Sequence, residues 1–178
     1  TMYSAKNNSV KASIHNAELI SRIVKNDLTS YMVNNNEKQI DSYINSMASI
    51  DNVKNLWLVR SDSVTNQFGK NKNQEPKDEI DKKVLKTGEI EYKLNESLLY
   101  SSMRITVPYK ATFDNGIDCL SCHNASSGDT LGAVSMELDI SELKNIGLET
   151  IYLIPIIMII GILLIFFIFR NKLEQDKL

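Results

Sequence analysis

From Ile151 to Phe169 the sequence "IYLIPIIMIIGILLIFFIF" carries no charge. A stretch apolar on every side is seldom a buried core helix, and in lipid its backbone must satisfy itself, so it reads as a helix. At 1.5 Å per residue its length is just under the ~30 Å of a bilayer core. A transmembrane helix is therefore expected over 151–169, with Pro155 in its first turns kinking it or simply tolerated. Arg170, Lys172 and Lys177 follow the run, whereas Glu142 and Glu149 precede it. That asymmetry predicts a cytoplasmic C-terminus and places residues 1–150 in the periplasm or exterior. Thr1 precedes the first Met, and "RNKLEQDKL" closes the chain as a polar stub. The expectation is a fragment: an exported domain, its return helix and the start of a cytoplasmic linker.

The remaining composition is ordinary for a globular protein. The net charge is −2 and charged residues make up 24% of the 178 residues, with no basic excess that would suit nucleic acid. No phosphate-binding glycine loop, H-E-x-x-H or G-x-S-x-G is present, so hydrolase and nucleotide-enzyme functions are unsupported and the chain is read as a non-enzyme.

Against this plain background stands "DCLSCHN", Asp118–Asn124. It holds both cysteines of the chain, Cys119 and Cys122, and one of its two histidines, His123. Four chemistries use such a group. In covalent haem attachment each thiol adds to one porphyrin vinyl, and the next residue's imidazole binds the iron. A dithiol redox pair needs no histidine. Structural zinc needs four ligands, which here would have to include distant His15. The fourth use is a structural disulfide. The two-residue gap and the adjacent histidine favour one covalently held haem c, with His123 as proximal ligand. The predicted export agrees independently, since bacterial c-type haem is installed on that side of the membrane.

Residues 8–33 read as one long helix, with Val10, Ile14, Ala17, Val24, Leu28 and Tyr31 at three/four spacing and Ser21 interrupting the seam. A shorter helix is expected over about 37–49, a strand over 53–60, a polar loop over 61–77 and an amphipathic helix over 78–88 closed by Gly88. Strands follow at 89–94, 99–111 and 131–139, the last two alternating apolar and polar residues, with the cysteine motif in the loop between them. Residues 141–150 read as a helix running directly into the membrane. The class is α+β.

"NVKNLWLVRSDSVTNQFG", "MRITVPYKA" and "CLSCHN…GDTLGAVSMELDIS" together resemble the exported c-haem sensor domains of bacterial signalling receptors: histidine kinases, diguanylate cyclases and chemoreceptors. The resemblance covers most of residues 20–145. It implies a PAS-like antiparallel sheet behind a long N-terminal helix, and a haem that senses redox state or a diatomic gas such as NO, CO or O2. The organisation expected is a signalling and dimerisation helix (1–36), a sensor domain (37–140), a juxtamembrane helix (141–150), the membrane helix in contact with lipid (151–169) and a linker (170–178). A homodimer through the N-terminal helix is expected, its seam forming the interface.

The sixth position on the iron would decide the chemistry. Outside the membrane run the candidates are Met2, Met32, Met47, Met103, Met136 and His15. Counting helix and strand rises puts the haem roughly 40 Å from the membrane, nearer the height of Met32 (about 46 Å along the first helix) than of His15 (about 21 Å). Met32 also matches the methionine that often ends the first helix in the family pattern, and it is the favoured distal ligand, although at i+4 from Leu28 it also suits an ordinary core position. Arg104 is the candidate contact for a haem propionate, since a guanidinium matches a carboxylate, with Tyr109 on the same strand as a second candidate. Trp57 suits the core better than the cofactor wall. Asp118 and Asp129 read as loop residues rather than an acid/base pair. Two functions follow: a transmembrane signalling sensor or, alternatively, a membrane-anchored monohaem cytochrome for electron transfer.

Overall fold

The computed structural model describes residues 2–34, 36–97, 100–114 and 117–175. In chain order the elements are α1 (Met2–Val33), α2 (Ile40–Met47), β1 (Val53–Arg60), α3 (Asp62–Phe68), α4 (Glu79–Thr87), β2 (Glu91–Glu96), β3 (Ser101–Lys110), the short strands β4 (Phe113–Asp114) and β5 (Ile117–Asp118), β6 (Thr130–Asp139) and α5 (Ser141–Gln175). The class is α+β, with an antiparallel sheet in the order β1-β6-β3-β2 beside a long N-terminal helix.

The apolar spacing of α1 explains its place. Ala17, Val24 and Leu28 are buried, and Ile14 and Tyr31 pack partly, in one cluster with the sheet residues Met103, Ile105, Val134, Met136 and Leu138. Ser21 is buried too, within the same stripe. The seam expected to join two copies is thus largely occupied inside the chain. Leu19, Ile23 and Val33 are the large apolar residues that α1 leaves exposed among the described side chains.

Both faces of the central strands are buried, which simple alternation did not predict. One face presents Met103, Ile105 and Val107 of β3 across from Leu138, Met136 and Val134 of β6, and it meets α1. The other presents Arg104 and Thr106 across from Glu137 and Ser135, and it meets α4. The polar side chains on that second face can be buried because Asp81 of α4 receives them. Asp81 is fully buried and accepts from Arg104 Nη2 at 2.6 Å, Ser135 Oγ at 2.6 Å, Thr106 Oγ1 at 3.0 Å, the Lys77 N–H at 2.9 Å and Trp57 Nε1 at 3.2 Å. A buried carboxylate is tolerable only when paired and hydrogen-bonded in this way. Asp78 caps α4 by accepting from the Asp81 N–H at 2.9 Å, and Gly88 ends the helix at φ 66°.

Residues 61–77 correct the sequence expectation. They hold a helix, α3, rather than only loop. Ser61 Oγ accepts from the Val64 N–H, Val64 is buried, and Gly69 at φ 86° stops the helix. Asn71 then caps a short 3-10 turn, Lys72–Gln74, that buries Gln74. The helix expected over 37–49 is split into a 3-10 turn, Glu37–Gln39, and α2. The loop carrying the cysteines contains the β4–β5 hairpin.

α5 is continuous from Ser141 to Gln175, with Pro155 inside it. Described side chains in its apolar part cover 153–168, and nearly all are exposed, Ile157 at 65% and Phe166 at 64% among them. Among the described residues, no helix is long and apolar enough to cross a membrane. The side chains of Ile151, Tyr152 and Phe169, which complete the expected span, and those of Glu142, Glu149 and Lys172, lie outside the described residues, as does Lys177.

Candidate functional site

The cysteine motif is shaped by its own short-range hydrogen bonds. Asp118 Oδ1 accepts from the Leu120 N–H at 2.9 Å, so Asp118 caps the 3-10 turn Cys119–Ser121. The Cys119 carbonyl accepts from the N–H groups of Cys122, at 3.4 Å, and His123, at 2.9 Å. This turn separates the two thiols. Cys119 is buried with Val64, Ala111 and Leu131, while Cys122 is exposed, and no disulfide joins them. Asp129 has a similar local role, its carboxylate accepting from the Ser126 N–H at 2.7 Å.

A tertiary clamp holds the turn's exit. Gln67, on α3, donates from Nε2 to the Cys122 carbonyl at 2.8 Å and accepts at Oε1 from the Asn124 N–H at 2.9 Å. One amide side chain thereby fixes the backbone on both sides of His123. The next residue of α3, Phe68, stands edge-on to the imidazole with ring centroids 5.3 Å apart.

Cys122 and His123 face a cavity of about 510 Å³, in the size range of cofactor pockets. Its walls are Leu28 and Met32 of α1, Ile40 of α2, Leu58–Arg60 of β1, Val64 and Phe68 of α3, Tyr109 of β3 and Leu131–Val134 of β6, with Gln74. Met32 therefore shares one cavity with His123, although the two residues are far apart in sequence. The His123 Nδ1 is buried and has no hydrogen-bond partner among the described residues. Burial, with a smaller contribution from the Arg60 charge, pushes its imidazole below the ordinary range. The neutral ring that results is the form that ligates metals.

Tyr109 joins the cavity to the buried thiol. Its hydroxyl lies 3.1 Å from Thr29 Oγ1 and 3.9 Å from Cys119 Sγ. Thr29 gives its own proton to the Lys25 carbonyl at 2.8 Å, so Tyr109 is the donor to Thr29. Burial pushes the Tyr109 phenol up to about 12.

Other sequence candidates fall elsewhere. Arg104 does not line the cavity; its guanidinium is engaged by Asp78 (3.0 Å) and Asp81 (2.6 Å) on the opposite face of the sheet. This removes the basis for expecting it at a propionate. Trp57 lies beside it, with Arg104 Cζ 4.4 Å and Lys77 Nζ 4.1 Å from its ring centroid. Met103 and Met136 are wholly buried in the main core, and Met47 packs against that core. His15 is exposed on α1, 4.0 Å from Glu18. Among the described residues no three His, Cys, Asp or Glu side chains gather as a metal-binding cluster, so the four zinc ligands considered from sequence are not assembled. The Met2 side chain lies outside the described residues.

Sequence reasoning missed Gln67, Phe68, Arg60 and Gln74. The usable signal was the Ser61–Asp62 cap before Val64, which marks a helix start and hence a face carrying Gln67 and Phe68.

The residues present fit a covalently held porphyrin. The Cys122 thiol, the His123 imidazole and the Met32 thioether line a largely apolar space, the second thiol, Cys119, is buried against the wall residues Val64 and Leu131, and nitrogen with thioether sulfur is a known axial pair for haem iron. No family model matches the chain, and no curated protein matches it either.

Proposed function

We propose that this chain is a c-type haem sensor domain with a PAS-like fold, anchored in the bacterial inner membrane by α5, with residues 1–150 periplasmic and the C-terminus cytoplasmic. The observation that carries the proposal is that Cys122, His123 and Met32 line one cavity. Cys119 and Cys122 supply the two thioether attachment points, His123 the proximal nitrogen and Met32 the distal sulfur. Haem held there would provide a one-electron redox centre, with Met32 in the position that a diatomic gas would otherwise take.

The membrane assignment rests on the unbroken helix of α5, the outward-facing apolar side chains over 153–168 and the charges that flank them in the sequence. Signal transfer rests on a short path. β6 lines the cavity at Leu131–Val134 and leads through Ile140 into α5. The joint is hydrogen-bonded: Asp139 Oδ1 accepts from the Ser141 N–H at 2.9 Å, and Ser141 Oγ accepts from the Ser101 N–H at 2.9 Å. A stimulus biases α5 only by the difference in affinity between two arrangements of this wall. A homodimer through α1 would use the exposed Leu19 and Ile23, because its apolar stripe is largely occupied within the chain. An electron-transfer cytochrome would use the same cavity but would not need the β6–α5 joint.

The test is to express the full chain in cells competent for c-type haem maturation and to record the reduced visible spectrum. Covalent haem that survives denaturation, lost in Cys119→Ser/Cys122→Ser, is expected. A haem-free chain from cells that mature a control cytochrome would sink the proposal.

A further inference from the structure

Most of the cavity wall is apolar, and among the described residues Arg60 is the one permanently charged residue lining it. Arg60 comes from the last position of β1, opposite Gly132 of β6. A Cβ at Gly132 would lie 2.5 Å from the Val59 carbonyl oxygen, so glycine there lets the two strands close up and no side chain from β6 competes with Arg60 for the space. Tyr109 of β3 lies across the same glycine from the other side.

Among the described residues no carboxylate forms an ion pair with Arg60, whereas Arg104 has two. The side-chain partner of Arg60, Gln74, is neutral. Gln74, buried at the end of its 3-10 turn, accepts from Arg60 Nε through Oε1. That contact uses one edge of the guanidinium and sets its plane. The edge formed by Nη1 and Nη2 is one that can grip a carboxylate with two parallel hydrogen bonds. A cation beside an apolar cavity without a counter-anion is unfavourable unless a ligand supplies one.

We propose that Arg60, oriented by Gln74, is the carboxylate anchor of the cavity and binds a propionate of the porphyrin. This rests on the haem reading of the same site. The ligand must join a broad apolar body to an anionic edge. A porphyrin does so, carrying its propionates on the rings away from the vinyl groups that Cys119 and Cys122 would take.

The experiment titrates the full chain, made without attached haem and kept in detergent, with haemin and separately with haemin dimethyl ester, whose carboxylates are blocked. Binding is read from the Soret band, and folding from circular dichroism. In the wild type, esterification is expected to weaken binding about tenfold, the loss of one good charge-assisted contact. In folded Arg60→Gln, haemin is expected to bind about as weakly as the ester, and the ester to bind as it does to wild type. A folded Arg60→Gln that keeps the wild-type preference, or loses both ligands equally, overturns the assignment while leaving the haem reading intact. Should Arg60→Gln unfold, Arg60→Lys keeps the charge and loses the fork, and it is expected to show a reduced preference; an undiminished one overturns the assignment. A wild-type chain that leaves the Soret band of both compounds unchanged overturns the haem reading and this inference with it.

Discussion

The Asp81 carboxylate and the His123 Nδ1 are both withdrawn from water, and their surroundings treat them oppositely. Asp81 has donors around both carboxylate oxygens, from Arg104, Thr106, Ser135, Trp57 and the Lys77 backbone. Burial pushes its carboxyl up, but the bonds from Ser135, Lys77 and Arg104 together hold it below the usual range. Its contribution to stability is therefore whole above the unfolded-state pKa of about 3.9 and is lost as pH falls through the lower folded value. Asp81→Asn is expected to cost about 3–5 kcal/mol at pH 7, because it leaves Arg104 incompletely paired. In urea melts, the gap between variant and wild type should narrow below about pH 4, and a gap that does not change with pH would show that the charge is not the source. His123 has the contrary arrangement, with Nδ1 buried and without a partner among the described residues. Met32 shares its cavity, which yields a sharper test of the ligand pair. The reduced wild-type haem protein is expected to keep its spectrum under carbon monoxide, whereas Met32→Ala should shift. Shifts of equal size in both would remove Met32 from the iron.

At the scale of elements, α3 is the piece that composition concealed. Its seven residues are too few for a hydrophobic period to show, and most are polar. What holds it is a cap at Ser61, burial of Val64 and the Gln67 clamp on the motif. Gln67→Ala removes both clamp bonds, at a cost of about 1 kcal/mol for side-chain bonds at an exposed site. Amide exchange should then speed up at Asn124 and stay unchanged in β3 and β6. Uniform protection across the variant would mean that the clamp does not hold the loop. By contrast, α4 was legible because Asp78 and Gly88 mark its ends. The burial of β3 and β6 on both faces was not legible. It depends on Asp81, far away in sequence, arriving to pair with Arg104, which is also why Arg104 could pass for a ligand contact when seen in one dimension.

For the whole molecule, the arrangement that matters is a cavity at one end of the sheet and a long apolar helix leaving from β6 through Ile140. If α5 crosses the bilayer as proposed, single cysteines placed at Asn7 and Arg170 in a Cys119→Ser/Cys122→Ser chain should differ in intact cells. A membrane-impermeant maleimide should label Asn7→Cys and spare Arg170→Cys until the membrane is opened; equal labelling of both would refute the topology. The sequence by itself determined the elements whose signals are local: the caps of α4, the apolar stripe of α1, the alternation of the strands and the spacing that sets Cys119, Cys122 and His123 within one turn. Only the tertiary structure decided what those elements face. It turned the α1 stripe inward onto the sheet, tied Arg104 to Asp81, and brought Arg60, Gln67, Gln74 and Met32 around His123. The physical reason is that caps and periods depend on neighbours along the chain, whereas a cavity wall and a buried ion pair depend on partners that only packing brings together.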